Sequence, residues 1–172
     1  MKISYLEHLW DELNRQPVHR FADWPNRDVP KGQPGVYLIY QEGRWIYIGM
    51  SFKNLQSRLS QHASGRRSGD QFCVYAGDRL VMSKLSIDQM KGVFSGEYSL
   101  DDAIKKFVRS QLSYRYFVIE DDPTARALEK YGLDIAKGLG GGVVEYLLNL
   151  ENNSRKLSLN YLNRASALLI TN

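Results

Sequence analysis

Two runs of β-branched and aromatic residues, 36–40 and 45–48, flank the dipeptide Glu42-Gly43 and constrain the fold of this chain more than any other feature. Val36-Tyr37-Leu38-Ile39-Tyr40 and Trp45-Ile46-Tyr47-Ile48 suit a pleated, largely buried surface, and a short Gly-containing link turns one into the other. The pair reads as an antiparallel β-hairpin. Its two glycine-marked segments are Gly35-Val36-Tyr37 and Tyr47-Ile48-Gly49. They place Tyr37 and Tyr47 on adjacent strands, where the hydroxyls could converge at one end of a sheet.

The remaining pattern is mixed. Apolar positions at Ile3, Leu6, Leu9, Trp10 and Leu13 predict an amphipathic helix over residues 3–15, and Pro17, Pro25, Pro30, Pro34 and Gly32 predict an extended connection over 17–34. Asn54 is suited to cap a helix reaching about Ala63, with Leu55 and Leu59 inward and Arg58 and His62 sharing another face one turn apart. The segment 65–69 breaks it. A strand is expected at 72–75 and weaker helix over 83–93. Ser99 with Asp102 opens a helix through Ile104, Phe107, Val108 and Leu112. Residues 114–120 read as a buried central strand, and Asp121-Asp122-Pro123 starts a helix over 124–137 that Gly138 and the glycines at 140–142 end. A polar tail follows Asn149, with a short helix expected near 165–170. The order hairpin, helix, strand, helix makes the class α+β.

With 172 residues, 43% of them hydrophobic and 24% charged, the chain is long enough for one core. The expected organisation is an N-terminal helix and arm (1–34), a main domain (35–150) with an insertion at about 70–113, and a C-terminal tail (151–172). The single cysteine, Cys73, excludes an intrachain disulfide or a cysteine-cluster zinc site and reads as a small buried hydrophobe. Glu7, Asp11 and Glu12 near the N-terminus are unlike a secretion signal, and no apolar run approaches the roughly 20 residues that span a bilayer, so a soluble, cytoplasmic protein is expected. The net charge of +4 permits a polyanionic partner without requiring one.

Taken in order, the residues resemble the GIY-YIG nuclease family. Gly35-Val36-Tyr37 matches the first signature with Val in place of Ile, Tyr47-Ile48-Gly49 matches the second, Arg58 falls on the next helix and Glu129 on a later one within Ala127-Leu128-Glu129. Leu148-Asn149 supplies the terminal asparagine, with Asn160 and Asn163 as rivals. The resemblance covers about 35–149 outside the insertion and implies a small central three-stranded antiparallel sheet flanked by helices, with which the element order agrees. It implies a DNA endonuclease in which Tyr37 activates water, Tyr47 positions water or phosphate, Arg58 clamps the phosphate and Asn149 anchors local structure. Glu129 would hold Mg²⁺ or Mn²⁺, which takes one or two carboxylates and completes its shell with water and phosphate oxygens. His62 is similar to a histidine that assists the tyrosine in a restriction-enzyme branch of the family.

A phenol titrates near pH 10, so a tyrosine base at neutral pH needs a cation, a metal-bound water or a neutral histidine to take its proton. Arg58 offers a permanently charged fork for phosphate oxygens. Asp122, Asp134 and Glu145 read as caps or surface charges. Lys53, Arg66 and Arg67 flank the Arg58 helix, and Lys105, Lys106 and Arg109 form a second basic stripe; with Arg58 they are the candidate phosphate contacts on double-stranded or branched DNA, or RNA. The loop 64–70 is a candidate groove contact. A duplex cut on both strands with one metal per subunit would call for a homodimer. The rival function is a nucleic-acid-binding module of the same fold that does not cleave; a third is an interaction protein in which the tyrosines and the glutamate merely pack.

Overall fold

A computed structural model describes residues 2–138. The hairpin is there: β2 (Gly35–Gln41) and β3 (Arg44–Ser51) pair antiparallel around Glu42 and Gly43, whose φ angles of 52° and 78° give the doubly left-handed turn that matches strand twist. The pairing is not uniform. Gln41 faces Arg44 and Tyr40 faces Trp45, but Ile39 faces Tyr47, so Ile46 is an extra residue in β3. A one-residue shift moves every following side chain to the other face. This bulge therefore puts Tyr47 on the same face as Ile39 and Tyr37.

Among the described residues the sheet contains four strands, all antiparallel, where the sequence suggested three. The unforeseen β1 (His19–Arg20) is two residues long and lies inside the proline-rich arm, too short to leave an alternating pattern; it pairs with β4 (Leu112–Val118). The spatial order is β1-β4-β2-β3. Central β2 is buried along almost its whole length. Tyr37, Ile39, Tyr47 and Tyr114 pack on one side with α2 (Leu55–Ser64), α3 (Gln71–Ala76) and α5 (Leu100–Gln111). Val36, Leu38, Tyr40 and Ile48 pack on the other with α1 (Ile3–Arg15) and α6 (Asp122–Gly138). Helix α1 thus lends Leu9 and Leu13 to the main core, burial worth about 1.5–3 kcal/mol for each leucine. Gly132 of α6 lies so close to Ile48 and Trp10 that a Cβ there would collide with both.

The expected strand at 72–75 is instead α3. The Asp70 carboxylate accepts the Phe72 N–H at 3.1 Å, an N-cap, and Phe72, Cys73 and Ala76 then bury along one helical face. Tertiary burial outweighs the β-preference of Phe-Cys-Val-Tyr. A π-helical turn (Gly77–Val81) and a short 3₁₀ turn (Met82–Lys84) lead to α4 (Ile87–Ser95), whose start carries a full capping box between Ser86 and Gln89. The helices expected at 3–15, 54–63, 99–112 and 124–137 correspond to α1, α2, α5 and α6. Among the described residues no helix is long and apolar enough to cross a membrane. Asn149, Asn160, Asn163, Glu145 and the helix expected near 165–170 lie outside the described residues.

Candidate active site

Helix α2 is aimed by its ends. Asn54 accepts the Ser57 N–H at 3.0 Å at the N-terminus. At the C-terminus Gly65 takes φ 73° and touches the backbone of Asp101 and Lys105 on α5, where no side chain would fit. Between these ends Arg58 and His62 face the sheet. The Tyr37 hydroxyl lies 2.7 Å from His62 Nε2, and Arg58 Nε donates to the same hydroxyl at 3.4 Å.

The other ring nitrogen identifies a residue that sequence reading missed. His62 Nδ1 is 2.6 Å from Asp70 Oδ2, and both residues are buried. Asp70 also accepts from Cys73 Sγ at 3.3 Å and forms a 3.9 Å ion pair with Arg58 Nη1. A carboxylate only accepts, so Nδ1 carries the proton and Nε2 is left to accept from the Tyr37 hydroxyl. Tyr37, His62 and Asp70 form one directional chain, phenol to imidazole to carboxylate. An acidic residue before an apolar run is an N-cap signal, and this could have revealed Asp70 as structured; the break at 65–69 separates it from the helix of His62, so no single element's periodicity links the two.

Electrostatics agree with that protonation. Burial lowers the His62 pKa, against the opposing pull of Asp70, so the ring is neutral at ordinary pH. Burial pushes the Asp70 carboxyl upward, but the His62 hydrogen bond and charge, with Cys73 and Arg58, bring it below its usual value. Burial raises the Tyr37 phenol well above its usual value despite Arg58, and burial lifts Tyr47 to about 12. Neither phenol is ionised by itself at neutral pH.

The two signature glycines make the geometry possible. A Cβ on Gly35 would run into the Phe117 carbonyl and the Leu55 side chain, where β4 and α2 close on β2. A Cβ on Gly49, directly opposite Tyr37 in the sheet, would overlap the Tyr37 hydroxyl end and the Tyr47 ring. Gly49→Ala is expected to cost about 1–3 kcal/mol by overpacking and to push the Tyr37 hydroxyl off His62. The readout is the melting temperature; a wild-type value would rule out this packing role.

Tyr47 stacks beside Tyr37 with ring centroids 6.3 Å apart and turns an edge to His62. Glu129 stands on α6, which packs on β3, the edge strand of the sheet among the described residues, and its carboxylate interacts electrostatically with Tyr47 and Arg58. It raises the Tyr47 pKa; its own is raised by burial and opposed by Arg126 and Arg58. Tyr37, Tyr47, Arg58, His62 and Glu129 therefore share one electrostatic neighbourhood. The basic candidates do not all join them. Lys53, Arg66, Lys105 and Lys106 are exposed; Arg67 pairs with Asp101 at 2.6 Å; Arg109 is half-buried and donates to the Ala63 and Trp24 carbonyls, both at 3.3 Å, tying α5 to α2 and the arm. Asp122 pairs with Arg126 and Asp134 with Lys130 on the surface of α6.

No curated protein matches the chain. The family model of the GIY-YIG catalytic domain matches residues 33–132, more than half of the chain, and spans β2, β3, α2, β4 and the part of α6 that carries Glu129. With the hairpin, the helical arginine and the α6 glutamate all inside the matched segment, the chain belongs to the GIY-YIG nuclease family.

Proposed function

We propose that the chain is a metal-assisted DNA endonuclease whose water is activated through Tyr37. The observation that carries the reading is the Tyr37–His62–Asp70 chain, with links of 2.7 and 2.6 Å. A phenol with a raised pKa is not a base by prior ionisation. It serves when it passes its proton to His62 Nε2 as it takes one from the attacking water. His62 then becomes an imidazolium beside the Asp70 carboxylate, which stabilises that charge without taking the proton. The water oxygen bonds to phosphorus, the bond to the leaving sugar oxygen breaks, and that oxygen is protonated from solvent. Arg58 meets the charge that builds on the phosphate oxygens.

Arg58 has a second task. Tyr37 is fully buried, and its partner Arg58 is 26% exposed at the side chain. Drawing the guanidinium onto a substrate phosphate releases its hydrogen bond to the hydroxyl and uncovers it to water. Glu129 fits the hard-cation role: it is one half-buried carboxylate at the site, and Mg²⁺ or Mn²⁺ bound through one or two carboxylates keeps positions for water and phosphate. When bound there, such a cation would supply Lewis-acid polarisation of the phosphate and stabilisation of the leaving oxygen. Among the described residues no group of three or more His, Cys, Asp or Glu is placed to hold a metal ion, so the proposed cation rests on Glu129 with water and phosphate oxygens.

Burial of Tyr37 is also the observation that favours the rival reading, a binding module that holds nucleic acid without cutting it. Supercoiled plasmid separates the two. Nicking is expected with Mg²⁺ or Mn²⁺, none with EDTA, and at least a hundredfold less with Glu129→Gln, since general electrostatic stabilisers of this type contribute about 10²–10³ in rate. A shifted plasmid that stays supercoiled in Mg²⁺ and in Mn²⁺ would assign the chain to the binding module.

A further inference from the structure

A cavity of about 770 Å³ runs along the outer side of α2, on the flank away from the sheet, and Asp70 lines one part of it. Its walls include Gln56, Ser57, Ser60 and Gln61 of α2, with Lys31 and Arg66. Positions 56 and 60, and 57, 60 and 61, recur at three- and four-residue spacings and so share a helix face. The chemistry of that face is unusual for a merely solvated one. It carries amides and hydroxyls without an acidic group, and among the described residues the side chains of Gln56, Ser57 and Ser60 make no hydrogen bond within the protein, while Gln61 uses only its Oε1, accepting from Arg58 Nη1 at 3.2 Å.

Backbone contact draws chiefly on charge and is indifferent to sequence, and although Gln and Ser also serve it, a face on which neutral groups outnumber the cations has more donors and acceptors than phosphate holding needs. Amides and hydroxyls are the groups that discriminate base edges: Gln pairs with the N6 and N7 of adenine, and Ser with several edges. The two cations, exposed Lys31 and Arg66, suffice to hold the flanking backbone. Arg58 stands on the same helix and its Nη1 donates to Gln61 Oε1 at 3.2 Å, so this face borders the guanidinium proposed to hold the phosphate.

We infer that the outer face of α2 reads the base edges of DNA beside the cut, giving the protein a sequence preference; this rests on the reading of the chain as a protein that acts on DNA. The test is a binding selection from a randomised DNA duplex library in EDTA, using the full-length protein and the triple variant Gln56→Ala, Ser57→Ala, Ser60→Ala, with melting curves to check folding. The wild type should enrich particular bases about 5- to 100-fold at one or more positions, the range of a good side-chain-to-base contact. The triple variant should lose most of that enrichment while total DNA affinity changes by less than about threefold. The inference is overturned if the wild type enriches nothing, binds no DNA or enriches only an RNA library, or if the folded variant keeps the same preference. The same library in Mg²⁺ distinguishes the two claims: enrichment without cutting strikes the nuclease reading alone, and cutting without base preference strikes the groove alone.

Discussion

Tyr37→Phe is expected to lower DNA cleavage by about two to four orders of magnitude, the usual contribution of a positioned acid–base group, while the protein remains folded. The ring stays in the core between Tyr47 and His62, so the large apolar contribution of the side chain is retained. Only the hydroxyl goes. Its loss leaves His62 Nε2 and Arg58 Nε without their shared partner in a buried site, at a cost of about 1–3 kcal/mol. DNA affinity in EDTA should stay near wild type, because the proposed phosphate clamp, Arg58, and the proposed base-reading face of α2 are intact. The discriminating measurement is single-turnover cleavage beside thermal unfolding. A Tyr37→Phe protein that cuts within a few-fold of wild type would remove Tyr37 from the chemistry, whatever its family position implies.

Asp70→Asn is expected to be nearly as damaging to cleavage, by about 10³–10⁴-fold, and for a reason specific to this fold. One Asp70 oxygen caps α3 through the Phe72 N–H, while the other faces His62 Nδ1 and Cys73 Sγ. An asparagine keeps the cap only by giving its carbonyl oxygen to Phe72, which turns its NH₂ toward His62. Nδ1 must then accept, the ring proton moves to Nε2, and His62 can no longer take the Tyr37 proton. The same wrong-tautomer effect costs a serine protease triad about 10⁴ in turnover. The change should cost stability by about 1–3 kcal/mol through the lost charge-assisted bond.

The pH dependence provides a readout that a purely structural role of Asp70 would not move. Burial holds the folded His62 pKa below its unfolded value, so activity should stay level through neutral pH and fall only below the ordinary histidine range. Asp70 raises that pKa, so its removal shifts the acid limb of any residual activity further down. For stability, the folded Asp70 pKa is depressed, which means its contribution is present above the unfolded aspartate value and lost as pH falls through the folded one. The stability gap between wild type and Asp70→Asn should therefore close on acidification. An Asp70→Asn protein with wild-type cleavage and an unmoved acid limb would break the proposed relay.

Much of this site can be read in the chain because its chemistry is anchored to strongly patterned elements. The hairpin follows from two β-rich runs around Glu42-Gly43, and Arg58 and His62 share a helix face because Asn54 starts α2 where it does. Glu129 follows from a helix announced by Asp121-Asp122-Pro123. Local rules run out where geometry is set by distant partners. Cys73 and its neighbours look like a strand by composition and form a helix because burial and the Asp70 cap favour it. Arg109 looks like a member of a basic stripe and instead ties two backbone carbonyls together.

By itself, then, the order of residues determined the hairpin and the helices that carry Arg58, His62 and Glu129, since periodicity and capping are short-range properties, and its two glycine-tyrosine signatures carried the resemblance to the family. Only the tertiary structure decided that Tyr47 shares the face of Tyr37, because a single bulged residue, Ile46, reverses the facing that strict alternation would assign. It alone decided that His62 is buried and neutral, held between Asp70 and the Tyr37 hydroxyl, because its surroundings are set by Asp70, Phe72 and the sheet closing round it. The two glycines of the signature join these levels: they stand in the sequence as a motif, and in the fold they are the places where β4, α2 and the Tyr37 ring come too near for any side chain.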